Sequence, residues 1–317
     1  MRPFRPTRLS ALMFAVFAAC SVSAAAGPQA YVPNEKSGSV SVIDTATDQR
    51  VGEISVGRRP RGAATDGKLL YLTDAESGSL LVVDPVAGKV VRSTPLGKSP
   101  EGISVSADGK LLAAAVEADN SIVLIDTASV RELARIKVEG QNPEHAVFSP
   151  DGRWLYVSAE DAEQIDVIDV ALRRQVGNIP VGKRPRGIVF TPDGSRAYVA
   201  CEIAGKVYAI DVAARKVSAV IVAGQFPNGL VVHPDGRRVF VSNGRDGTVM
   251  AIDTASNSVV ATTPVGKRPW NMALTPDGGK LYVANGRSNS VSVVDTGTMK
   301  KLADVAVGEL PWGVALR

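Results

Sequence analysis

A β-rich phrase ending in aspartate recurs at Asp44, Asp84, Asp126, Asp169, Asp211, Asp253 and Asp295, with successive separations of 40, 42, 43, 42, 42 and 42 residues. That period is one four-stranded blade per repeat. A turn of the VGxxP type runs in step with it, placing prolines at Pro60, Pro100, Pro143, Pro185, Pro227, Pro269 and Pro311. Between Pro185 and Pro227 the runs GIVF, RAYVAC, KVYAIDV and KVSAVIVAG are short, rich in Val and Ile, and closed by Gly, Pro or Asp. Each reads as a strand, which gives four per repeat, A to D. PDG turns at residues 150–152, 192–194, 234–236 and 276–278 supply the A-to-B hairpins.

The ends of the repeat array complement each other. The first repeat opens with a B strand at Tyr31-Val32-Pro33-Asn34, and an A strand with no blade behind it follows Pro311. The expected fold is all-β: a seven-bladed propeller, four antiparallel strands per blade, closed by one C-terminal strand joining three N-terminal strands. Closure of this kind pairs sheet edges that would otherwise stay open.

Residues 1–26 read as an export signal, with Arg2, Arg5 and Arg8 ahead of an apolar stretch from Leu9 to Val22 and a small-residue run at 23–26. The domain is then 27–317 and the expected location the periplasm. Phe17-Ala18-Ala19-Cys20 loosely resembles a lipobox, which makes lipidation at Cys20 the minor alternative. Cys201 is then the one remaining thiol, so no internal disulfide forms. The chain carries 36 Lys+Arg against 32 Asp+Glu, formally +4, and loss of three signal arginines leaves +1. Such a balance gives no case for nucleic acid. No later segment has the roughly 20 apolar residues that a transmembrane helix requires.

The phrases YVPN (31–34), YVAC (198–201), FVSN (240–243) and YVAN (282–285), each followed by SVSVID-like text, resemble the YVTN-type seven-bladed β-propeller family. The resemblance covers essentially all of residues 30–317. VGKRPRG at 181–187, with the signal, looks like the exported branch associated with pyrroloquinoline quinone (PQQ)-dependent alcohol catabolism. That resemblance implies a periplasmic partner, such as a component of a PQQ-dependent dehydrogenase system.

Repeated residues belong first to the framework: the seven aspartates fix C-to-D turns, and Tyr and Val of YVxN build the blade. Function is expected where blades differ on one surface. The D-to-A turns and B-to-C loops emerge together around the mouth of the central channel. After each turn proline the ring reads Arg61, Glu101, Glu144, Arg186, Asn228, Trp270 and Trp312. At the next position it reads Gly62, Gly102, His145, Gly187, Gly229, Asn271 and Gly313, with small residues expected where strands crowd the axis.

Two chemistries suit this mouth. Arg61 and Arg186 with Asn228, Trp270, Asn271 and Trp312 would hold a flat anion such as PQQ by charge-assisted bonds and stacking. Against it, Glu35, Glu76, Glu117, Glu160 and Glu202 on the same face would pair with the bases and leave a solvated, self-neutralised rim. Alternatively Glu101, Glu144, His145 and Asn228 would bind a divalent metal in a lactonase-like hydrolase, with Glu144 and His145 as acid/base groups. The plainer reading of His145 is a hydrogen bond to a neighbouring strand. No CxxCH, GxSxG, HExxH or glycine-rich phosphate loop occurs. The leading expectation is a non-enzymatic binding protein with no required cofactor, recognising a protein or a small anionic ligand. A passive structural module is the third reading.

Overall fold

The computed structural model describes residues 28–316, so the expected export signal and Cys20 lie outside the described residues. Seven four-stranded antiparallel sheets are arranged as the repeat requires. In blade 5 the strands are Pro185–Phe190, Arg196–Cys201, Lys206–Asp211 and Lys216–Val222. Blade 1 takes B, C and D from Gln29–Asn34, Ser39–Asp44 and Gln49–Ser55, and its A strand from Ala315–Leu316. That closing strand is shorter than expected. Only Ala315 and Leu316 pair with Tyr31 and Ala30, while an isolated bridge joins Pro311 to Asn34. The Trp312 N–H donates to the Pro33 carbonyl at 2.9 Å and completes the seam.

The core lies between blades. Each apolar cluster among the described residues spans two neighbouring sheets, such as Tyr71, Leu80 and Val82 of blade 2 against Leu112, Ala114 and Val123 of blade 3. The seven repeat aspartates act as hairpin fasteners: Asp44 Oδ1 accepts the Ala46 and Thr47 N–H groups, and Asp295 Oδ1 accepts that of Thr298. In blades 6 and 7 the Asn of YVxN has a complementary task at the other end of the blade. Asn243 Oδ1 accepts the Gly224 N–H at 3.0 Å and Asn285 Oδ1 that of Gly266 at 3.1 Å, so each ties the incoming D-to-A turn to its blade.

Pairing of strands A and B breaks immediately after the turn proline in blades 2 to 7. In blade 2, Pro60 faces Asp74 and Ala63 faces Leu72, leaving Arg61 and Gly62 opposite Thr73 alone. Two residues against one is a β-bulge, which bends a strand and re-aims its side chains. A hydroxyl on strand B satisfies the freed N–H in three blades: Thr73 for Gly62, Ser158 for His145 and Ser242 for Gly229. Thr73 and Ser242 pass their own protons to the Glu101 and Trp270 carbonyls of the following blade, at 2.5 and 2.6 Å. The bulge therefore points the first-position side chains at the channel mouth and links neighbouring blades.

Removing residues 311–317 is expected to cost about 3 kcal/mol or more, from the lost burial of Val314 and Ala315 and a reopened edge. Calorimetry should show one transition at a lower midpoint. Separate melting of blade 1 would contradict a ring closed by this strand.

Candidate functional site

The bulges bring Arg61, Glu101, Glu144, Arg186, Asn228 and Trp270 onto one cavity of roughly 310 Å³ at the mouth, where Trp312 of the closing segment and Asn271 from the second position join them. Glu35, Glu117 and Glu160 of the B-to-C loops line it too, as do Arg59, Arg184 and Arg268 of the turns. His145 is not among its lining residues.

Charge divides the ring in two. On blades 2 to 5 the first positions read Arg61, Glu101, Glu144 and Arg186, and each arginine is a hub. Arg61 pairs with Glu101 of the next blade and, at 3.2 Å, with Glu35 of the previous one, while Arg59 reaches Glu35 at 2.7 Å. Arg186 binds Glu144 at 2.7 Å, Glu160 at 2.6 Å and Glu202 at 2.9 Å. Arg184 and Arg268 add bonds to Glu160 and Glu202. The self-neutralised rim is thus present except at Glu117, which accepts the Ser99 hydroxyl at 2.8 Å and pairs with no base among the described residues, and its hubs are buried rather than solvated: the Arg186 side chain is 12% exposed and that of Glu202 3%.

Burial works against these charges and the network holds them. It pushes Arg186 toward losing its proton, and Glu144, Glu160 and Glu202 outweigh it, raising the guanidinium above its ordinary range. Burial lifts the Glu160 carboxyl above its usual value, with Arg186 pulling it down and Glu144 pushing it up. Exposed pairs such as Arg58 with Glu76 contribute about 0 to 1 kcal/mol, whereas stripping one partner from a buried network costs roughly 3 to 5 kcal/mol.

The other arc, blades 6, 7 and 1, presents Asn228, Trp270, Asn271 and Trp312. Asn228, Trp270 and Trp312 line the cavity, and the amide of buried Asn228 and both indole N–H groups form no hydrogen bond with the described residues. Trp270 lies over Gly286, where a Cβ would come within 2.9 Å of the ring. Gly286 and Gly244 stand where blades 1, 3, 4 and 5 carry Glu35, Glu117, Glu160 and Glu202. The aligned repeats display this exchange of glutamate for glycine, and the sequence reading passed over it.

His145 departs from the expected hydrogen bond to a neighbouring strand. Its backbone N–H meets Ser158, but neither ring nitrogen has a hydrogen-bond partner among the described residues. The imidazole instead stacks on Trp312 from the far side of the ring, centroids 5.6 Å apart at 18°. The Asn271 side chain lies close enough to favour the protonated form slightly, without hydrogen-bond geometry. Burial first, then the Arg186 charge, pushes the imidazole pKa down to about 4.

These features do not fit a divalent metal. The Glu101 and Glu144 carboxylates are engaged by guanidinium groups, and the His145 nitrogens are sealed beside a cation. No group of three or more His, Cys, Asp or Glu suited to a metal occurs among the described residues. His233 pairs with Asp235 at 2.7 Å in an A-to-B turn on the opposite face. Cys201 is fully buried in the apolar cluster between blades 4 and 5, its thiol pushed up to about 12 by burial.

The pattern of the YNCE-like beta-propeller family matches residues 70–236, and that of the 7-bladed beta-propeller lactonases matches residues 172–312. Among solved structures, a chain of Kuenenia stuttgartiensis hydrazine synthase is 28% identical, with TM-score 0.77 over 84% of this chain and 92% of its own. A functionally unknown protein from Desulfotomaculum acetoxidans DSM 771 is 18% identical, with TM-score 0.78 over 91% and 98%, a likeness of fold alone. No curated protein matches significantly.

Two outcomes follow from the network. Arg186→Met should lose about 3 kcal/mol in urea unfolding and Arg58→Met under about 1, and similar losses would contradict a buried hub. For His145 the folded pKa lies below the unfolded value near 6.5, so the unfolded chain takes up the proton first. Its contribution is intact above about pH 6.5 and is lost progressively toward pH 4, by on the order of 3 kcal/mol. Unfolding at pH 7.5 and 4.5 should show a smaller pH-dependent loss in His145→Asn than in the parent. An imidazole that titrates near pH 6.5 by NMR would contradict this.

Proposed function

The chain belongs to the YNCE-like β-propeller family, and from that premise we propose that it is an exported, non-catalytic binding protein. Its ligand is a small, uncharged polar molecule seated at the channel mouth. The observation that carries this reading is that the guanidinium hubs are taken up by carboxylates, while Asn228 and the two indoles keep unsatisfied polar capacity. A cavity near 310 Å³ sits at the small end of ligand sites, roughly 300 to 1,000 Å³. Export rests on the N-terminal residues 1–26, and a role beside PQQ-dependent oxidation on the resemblance of the repeat phrases. PQQ itself would have to displace carboxylates already held by Arg61 and Arg186, so a flat tricarboxylate ranks below a neutral ligand.

The family match over residues 172–312 favours a second reading, hydrolysis of a lactone. The metal that such chemistry would draw on finds its expected ligands engaged by arginines. One titration separates the readings: thermal shift of residues 27–317 with uncharged polyols, lactones, PQQ and divalent metal salts. A ligand at ~100 times its Kd adds about 2.7 kcal/mol. The binding reading expects a shift from an uncharged compound, abolished in Asn228→Leu and Trp270→Leu, without turnover. A metal-dependent shift accompanied by lactone opening would replace it with the hydrolase, and no shift from any compound would remove the small-ligand reading.

A further inference from the structure

We infer that the mouth face carries, outside the central cavity and independently of its ligand, a docking groove on blades 5 to 7 for an acidic segment of a partner protein. Two open depressions lie side by side there and share Phe226 and Asp246. One is walled by Ile203, a loop aliphatic that is 58% exposed. The other is walled by Arg245, Lys267 and Arg287.

These three cations gather in one depression, whereas Lys98 and Lys183, the other bases of the turns without an ion pair among the described residues, stand apart from it. Arg58, Arg59, Arg184 and Arg268 all have glutamate partners, whereas Arg245, Lys267 and Arg287 form no ion pair among the described residues. Asp246, the acid among them, already accepts the Gln225 N–H at 2.7 Å. The cause lies in the repeats: blades 6 and 7 replace the loop glutamate by glycine and follow it with arginine, at Gly244-Arg245 and Gly286-Arg287. A net positive sector results on a face whose other loops carry Glu76, Asp119, Asp161 and Glu163.

Phe226 provides the independent observation. It occupies a turn position in the left-handed region, φ 58°, which other blades fill with Ser99, Asn142, Arg184, Arg268 and Leu310. A bulky aromatic there is a strained backbone outlier of the kind that collects at binding sites. The ring stands partly exposed between two guanidinium groups, 5.5 Å from Arg245 and 5.7 Å from Arg268. The complementary partner is a run of carboxylates for Arg245, Lys267 and Arg287 with an apolar side chain beside it for Ile203 and Phe226. A long nucleic acid strand suits the groove less well, because beyond two blades it meets the acidic loops and Ile203 offers nothing to phosphate.

The test uses residues 27–317 and an array of peptides of about 12 residues, each an Asp/Glu run with a single Leu, Ile or Phe placed at successive positions. Binding is expected from peptides whose apolar residue flanks the acidic run, and should weaken at ~0.3 M salt. Arg245→Ser/Arg287→Ser and, separately, Ile203→Ser should each lower affinity about tenfold, equal to 1.4 kcal/mol. Their thermal midpoints and any mouth-ligand shift should stay at the parent values, so loss of this groove and loss of the small-ligand site are told apart. No binding peptide, unchanged affinity in the double variant, or tighter binding of a single-stranded oligonucleotide of equal length would each overturn the inference.

Discussion

Seven inner strands meet at one axis, and there is almost no room for Cβ atoms between them. A Cβ on Gly62 would lie 2.5 Å from the Glu101 carbonyl oxygen, one on Gly187 2.5 Å from that of Asn228, and one on Gly229 2.5 Å from that of Trp270. The second residue of each inner strand therefore packs against the backbone of the next, and glycine is the low-cost solution. The bulge is the other half of that arrangement. By taking two residues of strand A against one of strand B, it removes the first-position side chain from the crowded sheet and turns it into the mouth.

That geometry accounts for the division of the ring. First-position side chains of adjacent blades come within bonding distance, so the order Arg, Glu, Glu, Arg produces two pairs, Arg61 with Glu101 and Arg186 with Glu144. The B-to-C glutamates approach the same hubs from above, which is how Arg186 acquires three carboxylates. A low-dielectric setting makes an unpaired charge costly, and the network has none to offer a charged ligand cheaply. The neutral arc stands outside that network, and there glycines replace the loop glutamates at 244 and 286, the latter leaving room for the Trp270 ring.

The same two glycines link the mouth to its outer lip. Where glycine replaces the loop glutamate, the following residue, Arg245 or Arg287, gives the outer face a positive sign. A single change in the repeat thus shapes both the neutral arc and the basic groove. His145 and Asn271 mark the two second-position sites where the glycine rule lapses, and His145 stacks on Trp312 across the channel.

Blade number, strand order, closure by the two chain ends and the face holding the variable residues were all legible in the sequence, because each is a local pattern repeated with a fixed period. The role of the seven aspartates was legible for the same reason: a carboxylate capping its own turn contacts residues two or three positions away. The mouth residues could be named as a set but not paired. Which glutamate Arg186 holds, whether His145 meets a polar partner, and which amides stay free depend on contacts across blades some 40 residues apart or on opposite sides of the axis. Those contacts are set by the bulge, the ring radius and rotamer choice, and no local periodicity encodes them. The sequence by itself determined the ring and the surface where blades differ; the tertiary structure decided that the guanidinium hubs there are taken up by carboxylates and that the neutral arc stands outside that network, because only the packing of neighbouring blades brings those side chains together.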